Sequence, residues 1–236
     1  MNAEMQQEAA MHLTQRQANE TGRDYALRTL KDNIIWLALA PGSMVSEKEL
    51  SAEMGLSRTP VREALIELAK VKIVEIYPQR GSSISLVDYD LVEEARFMRE
   101  TLECAVVERC CVRGMTQEQT ALLQENIKLQ EFYLQERNND KLLELDNEFH
   151  RALFVLANLP QVHMLMDSMT IHLDRVRGMS LLVQEKPSTV ADHRRVLEAI
   201  TAGELHTAAA CMHEHLCRSQ VDKAAIVKKY PQYIKL

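Results

Sequence analysis

The stretch SEKELSAEMGLSRTPVREAL, residues 46–65, decides the fold. Ser46 and Glu49 stand three apart ahead of an apolar run, the spacing of a capping box that opens a short helix, and Gly55 marks its end. Another helix starts around Ser57, with Pro60 in its first turn, where a missing N–H does little harm. Val61, Ala64, Leu65 and Leu68 recur on one face of it at the helical period. Arg58 and Arg62, four apart, share a face beside that stripe and lie near the helix N-terminus. This is the end of a recognition helix that meets base edges, where an arginine bonds guanine O6 and N7 together, worth about 1–3 kcal/mol against a wrong base. Thr59 and the open N–H groups of the first turn suit phosphate. The competing reading of the two arginines is a solvated helix face with ordinary charges.

Upstream, apolar spacing predicts a helix over residues 24–39, stopped by Pro41-Gly42. Downstream, IVEIYPQRGSSISLV (73–87) reads as a hairpin about Pro-Gln-Arg-Gly, with Arg80 and Gly81 at a tip placed to reach a minor groove. Three helices and a hairpin in roughly 65 residues predict a winged helix-turn-helix. It spans residues 23–87, behind a flexible tail over 1–22. After Asp88 the pattern is helical throughout, in segments 90–113, 116–137, 140–157, 160–178, 188–202 and 205–229. Gly114, Asn138-Asn139, Asn158-Leu159-Pro160, a loop over Gln184–Pro187, and Gly203 separate them. Short breaks between six helices imply an antiparallel bundle over 88–230, and a mainly α protein.

Composition agrees. Of 236 residues 46% are hydrophobic, which excludes disorder throughout, and 7 Gly, 6 Pro and 5% aromatics favour helix over sheet. The net charge of -6 repels polyanions, so nucleic-acid contact must come from a local cluster such as that around Arg58 and Arg62. No apolar run approaches the ~18 residues of a membrane span, and the polar start lacks a signal-peptide core. A cytoplasmic protein is expected. Five cysteines without a C-x-x-C pair argue against a disulfide framework.

Within the bundle, LDNEFHRALF (145–154) puts charge in an apolar place. At ~100° per residue, Asp146 and His150 fall between Leu142 and Leu153 on one side and Leu143 and Phe154 on the other. An unpaired carboxylate there costs several kcal/mol, so it needs a partner. His193 is centred among Val190, Val196, Leu197 and Ile200, and His215 lies among Ala208, Cys211, Met212 and Leu216, whereas His213 turns to the polar side. Asp146, His150, His193 and His215 together fit one metal bound through imidazole nitrogen and carboxylate oxygen. Two unconnected hydrogen-bonded pairs are the alternative.

Residues 41–85, PGSMVSEKELSAEMGLSRTPVREALIELAKVKIVEIYPQRGSSIS, resemble the DNA-binding domain of the GntR family of bacterial transcription regulators nearly end to end. The resemblance implies operator contacts by Lys48, Arg58, Thr59, Arg62, Arg80 and Gly81. The chain departs from the family near Lys72, where a glycine is common, and a reshaped turn is expected there. Residues 90–220 resemble the FCD effector domain of the FadR subfamily, through RETLE from Arg99, DNEFH from Asp146, ANLP from Ala157, DHRRVLEAI from Asp192 and HEHL from His213. That resemblance makes Asp146, His150, His193 and His215 ligands of a divalent metal, zinc foremost, with nickel, manganese or iron as alternatives. It makes Arg99 an effector-binding residue, against a surface salt bridge with Glu103 as the other reading; Arg175 and Arg177 stay unassigned.

The reading is a non-enzymatic regulator. A homodimer would present two recognition helices to a short inverted repeat in double-stranded DNA. Open metal positions beside an arginine suit a small organic acid, such as a sugar acid or a 2-hydroxy or keto acid, as effector. The alternatives are a metal-dependent hydrolase carrying a DNA-binding module, disfavoured because no spare general base stands at a recognisable spacing, and a constitutive DNA binder with a purely structural metal.

Overall fold

The computed structural model describes residues 11–182, 189–218 and 223–235, so the expected Gln184–Pro187 loop lies outside the described residues. The chain divides into two compact units, Met1–Tyr89 with Val227–Leu236, and Asp90–Ile226.

The first unit contains α1 (Gly22–Ile35), β1 (Met44–Val45), α2 (Glu47–Glu53), α3 (Arg58–Lys70), β2 (Val74–Tyr77) and β3 (Gly81–Ile84). Its core joins Ala26, Leu30 and Ile34 of α1 to Val61, Ala64, Leu65 and Leu68 of α3, with Ile73 and Ile84 beneath the hairpin. Burial of Val61, Ala64, Leu65 and Leu68 leaves Arg58, Thr59 and Arg62 on the outer face of α3. The expected hairpin is two strands of a three-stranded antiparallel sheet ordered β1-β3-β2, in which Met44 pairs Ser83 and Val74 pairs Ile84. Helix α1 stops short of residue 39 because Leu37 turns left-handed (φ 64°) and the Leu39 N–H bonds back to Asn33 O at 2.9 Å. Ser46 caps α2 by accepting from Glu49 N at 3.1 Å, and its hydroxyl donates to the Glu49 carboxylate at 2.8 Å.

Residues placed in the tail by sequence are tied to α1. His12 N donates to Asn33 Oδ1 at 2.7 Å and Asn33 Nδ2 donates back to His12 O at 2.9 Å, while Arg28 holds Glu20 at 2.7 Å. The C-terminal end also belongs to this unit: Ile234 forms a parallel bridge with Val87, and Lys235 pairs with Asp88 at 2.7 Å.

The second unit is helical among its described residues: α4 (Tyr89–Arg113), α5 (Gln117–Gln135), α6 (Asn139–Leu156), α7 (Pro160–Leu181), α8 (Thr189–Thr201) and α9 (Leu205–Arg218), with α10 (Lys223–Lys229) beyond. The helix expected over 205–229 is thus two described helices. Stops and starts have local causes. Thr116 and Gln119 form a reciprocal capping box on α5, Asn138 caps α6 through Lys141 N at 3.0 Å, and Pro160 opens α7. Phe149, Leu153 and Phe154 of α6 lie at the centre of a core completed by Val106, Leu123, Val196, Ile200 and Met212. No helix among the described residues is long and apolar enough to cross a membrane.

Candidate metal centre and nucleic-acid interface

Helices α6, α8 and α9 bring Asp146, His150, His193 and His215 together, with one ligand atom of each lying within 4.8 Å of the others. All four residues are at most 3% exposed. His215 Nε2 lies 3.2 Å from His150 Nε2, His150 Nε2 3.7 Å from Asp146 Oδ2, and His193 Nε2 3.6 Å from Asp146 Oδ1. Metal–ligand bonds of about 2.1 Å at tetrahedral to octahedral angles require ligand separations of roughly 3.0–3.4 Å. These three separations are within a few tenths of an ångström of that range.

The outward ring nitrogens are as informative. His150 Nδ1 abuts Glu103 Oε2, His193 Nδ1 meets Gln130 Oε1 at 2.8 Å, and His215 Nδ1 faces Asp192 Oδ2 at 3.7 Å. The close acceptors at His150 Nδ1 and His193 Nδ1 place the proton on those atoms and leave their Nε2 lone pairs turned inward, whereas His215 Nδ1 makes no hydrogen bond. Inward lone pairs so close together repel one another unless a proton or a cation stands among them. His193 Nε2 is buried without a hydrogen-bond partner, the mark of a donor atom whose partner is an ion. Such outer-shell acceptors orient metal-bound imidazoles generally. The donor set therefore fits a divalent cation.

Burial by itself would raise the Asp146 carboxyl, but the Arg177 guanidinium outweighs it and holds the group well below the usual carboxylate range. The Arg177 guanidinium contacts Asp146 Oδ2 directly and reaches Asp174 and Asn147 at 2.8 Å each. The carboxylate's partner on its outer side is thus an arginine that sequence left unassigned. Arg99 is 4% exposed and pairs with Glu103 at 2.6 Å. The i,i+4 pair forms, but inside the domain rather than on its surface. Arg99 is thereby linked through Glu103 to His150. Gln130 is held in turn by Asn126 at 2.6 Å, and Asp192 by Arg195 at 2.8 Å. The sequence pattern gave Glu103 only as a surface partner of Arg99 and assigned Gln130 and Asp192 no place at the cluster. His163 is half-buried, edge-on to Phe154, and His172 is buried.

In the first unit, Lys48, Arg58, Thr59, Arg62 and Arg80 are all exposed, and Gly81 is half-buried at the head of β3. Ser57 precedes α3 without a side-chain cap bond, so first-turn N–H groups stay available to an anion. Arg62 is 67% exposed at its side chain, with Glu47 3.9 Å away, too far and too wet to hold it. Gly81 has φ +98°, and a Cβ there would meet Val45 O at 3.0 Å, so it is required where the wing turns against β1.

A winged helix-turn-helix with exposed arginines on its third helix, in one chain with a helical domain holding a buried Asp/His cluster that could bind a metal, defines a class of DNA-binding regulators. The FCD domain family matches residues 94–218, and the bacterial regulatory proteins of the gntR family match residues 25–84. The chain belongs to the GntR family of transcription regulators and carries an FCD domain. It is 35% identical over 202 residues to an HTH-type transcriptional regulator in an unstable DNA locus of Streptomyces ambofaciens, covering 82% of this chain and 81% of the relative. It is 32% identical over 190 residues to the HTH-type transcriptional repressor RspR of Escherichia coli K12, covering 80% and 83%. Among solved structures, E. coli McbR/YncC matches the fold with a TM-score of 0.75 at 21% identity, over 89% of this chain and 99% of that one. The relatives are named as regulators of transcription, and this is a non-enzymatic DNA-binding protein; the hydrolase alternative falls away.

Proposed function

We propose that the chain regulates transcription as a homodimer on a short inverted-repeat operator, and that one divalent metal, zinc foremost, holds its FadR-type FCD domain in shape. Arg58 and Arg62 read bases, Lys48 and Thr59 take phosphate, and Arg80 with Gly81 forms the wing tip. Asp146, His150, His193 and His215 hold the metal. The observation that carries the metal assignment is the convergence of three Nε2 atoms on Asp146, with a close acceptor behind the His150 and His193 rings. When bound, the metal supplies a fixed positive charge joining α6, α8 and α9. Near-complete burial of all four ligands favours a structural ion.

A second reading adds a small organic acid as effector, and buried guanidiniums beside the ligands favour it. Arg99 is held by Glu103, and Arg177 by Asp146 and Asp174, so an entering carboxylate must displace one of those acids. Any effect on DNA requires differential affinity for two arrangements of the protein.

Operator affinity measured by fluorescence anisotropy tests both readings, on protein as purified, stripped by chelator and restored with zinc, then with a panel of hydroxy and keto acids. A structural metal predicts that stripping lowers Tm and operator affinity and that no acid changes affinity. The effector reading predicts an acid that shifts affinity by about 5–150-fold, with the response lost in His150→Ala. Unchanged Tm and affinity after stripping overturn the metal assignment in either form.

A further inference from the structure

His213 and His215 are two residues apart on α9 and therefore project about 160° apart around the helix. His215 turns inward, and His213 turns to solvent with 54% of its side chain exposed. His213 Nδ1 lies 3.0 Å from Glu100 Oε1 of α4. Cys217 follows one helical turn on, its Sγ 4.0 Å from His213 Nδ1 and 3.6 Å from Nε2. One donor atom of each of the three lies within 4.8 Å of the others. The Glu100 carboxylate is also anchored from behind. Its Oε2 accepts from Arg96 at 2.7 Å, and Arg96 is itself braced by Glu93 at 2.9 Å, which leaves Oε1 aimed at His213. Beside the cluster, Cys104 Sγ lies 3.7 Å from Ala209 O, so α4 and α9 are packed together where they supply these ligands.

We propose that Glu100, His213 and Cys217 form a second, solvent-facing site for a zinc-class divalent cation, on the side of α9 opposite the buried centre. A thiolate, an imidazole and one carboxylate oxygen make a mixed donor set that suits zinc and cobalt and is poor for magnesium or calcium, which take oxygen ligands. Three protein ligands leave a fourth position to water, so the ion exchanges with solvent, unlike one enclosed by the buried tetrad. Binding releases the Cys217 thiol proton to solvent as the sulfur–metal bond forms. Arg96 acts as the positioning residue for the Glu100 carboxylate, in the manner of an outer-shell partner.

Cobalt(II) titration of the full chain under reducing conditions tests this, because sulfur ligation gives a near-ultraviolet thiolate-to-cobalt charge-transfer band. The buried tetrad contains no sulfur, so the band reports the surface site whether or not the buried assignment stands. With the buried tetrad first filled with zinc and free zinc removed, the expected result is a band saturating at one cobalt per chain in wild type, absent in Cys217→Ser, and requiring on the order of tenfold more cobalt in His213→Ala. Zinc added in excess should displace the cobalt and slow labelling of Cys217 by a maleimide. Absence of the band in wild type, its survival in Cys217→Ser, or unchanged cobalt affinity in His213→Ala overturns the site.

Discussion

At Glu103 burial alone would push the carboxyl's pKa up, yet the Arg99 guanidinium and the His150 ring outweigh it and hold the group well below the ordinary carboxylate range. The charge is therefore structural, and its removal should be felt on both sides. Glu103→Gln keeps the shape, leaves Arg99 an uncompensated buried cation and weakens the acceptor behind His150. We expect about 3–5 kcal/mol lost from stability in urea denaturation, and metal affinity lowered by about 10–100-fold in chelator competition. Retention of both values would show that Glu103 merely fills space. This residue also marks the limit of what sequence could show. Asp146 and His150 were legible because charge inside an apolar arc is expensive, and the same test found His193 and His215. Arg99-x-x-x-Glu103 reads identically whether the pair faces water or the core, and nothing in the pattern around Gln130 distinguishes an imidazole's partner from a surface amide. Arg177 sits outside the apolar arc by pattern and reaches Asp146 only through tertiary packing.

Helix and strand boundaries carry their own lesson at the turn after α3. Lys72 has φ 60°, and the bonds from Lys72 N to Ala69 O at 3.0 Å and Ile73 N to Leu68 O at 2.9 Å close the helix in a left-handed terminus. The turn has a glycine-type, left-handed conformation with a lysine in it. Lys72→Gly should therefore stabilise the winged unit by about 0.5–1 kcal/mol, relief of left-handed strain exceeding the added freedom of the unfolded chain. A higher urea midpoint checks it; a lower one would mean that the lysine side chain contributes more than the strain. Element types were legible nearly throughout, because amphipathic helices and Pro-Gln-Arg-Gly between β-branched runs leave little choice. Strand β1 was not, since Met44 and Val45 acquire their strand character only by pairing with Ser83 and Ser82. Nor was the end of α1, where a left-handed Leu37 gives no sequence signal.

For the whole molecule, a net charge of -6 repels a polyanion, and the proposed reading places DNA contact on exposed cations of the winged unit. Lys48→Ala should weaken operator and scrambled duplex alike and lower the salt slope of binding by about 1, whereas Arg62→Ala should erase much of the ratio between them. Gel shifts across a salt series decide; an unchanged ratio in Arg62→Ala would move the recognition face elsewhere. The GntR family and the FCD domain were legible from the run around SRTPVREAL and from the later histidines. The C-terminal return to Val87 and Asp88 was not, because one parallel bridge and one ion pair leave no periodic trace. The proposed buried tetrad holds one metal in the FCD domain. Elemental analysis after a brief chelator wash, which clears the exchangeable surface site, measures it most directly. We predict about one divalent ion per chain in wild type and in His213→Ala, with occupancy and Tm both falling in Asp146→Ala and His193→Ala. Full occupancy in both of those ligand variants, or a wild-type chain that retains no ion after refolding with zinc, would contradict it.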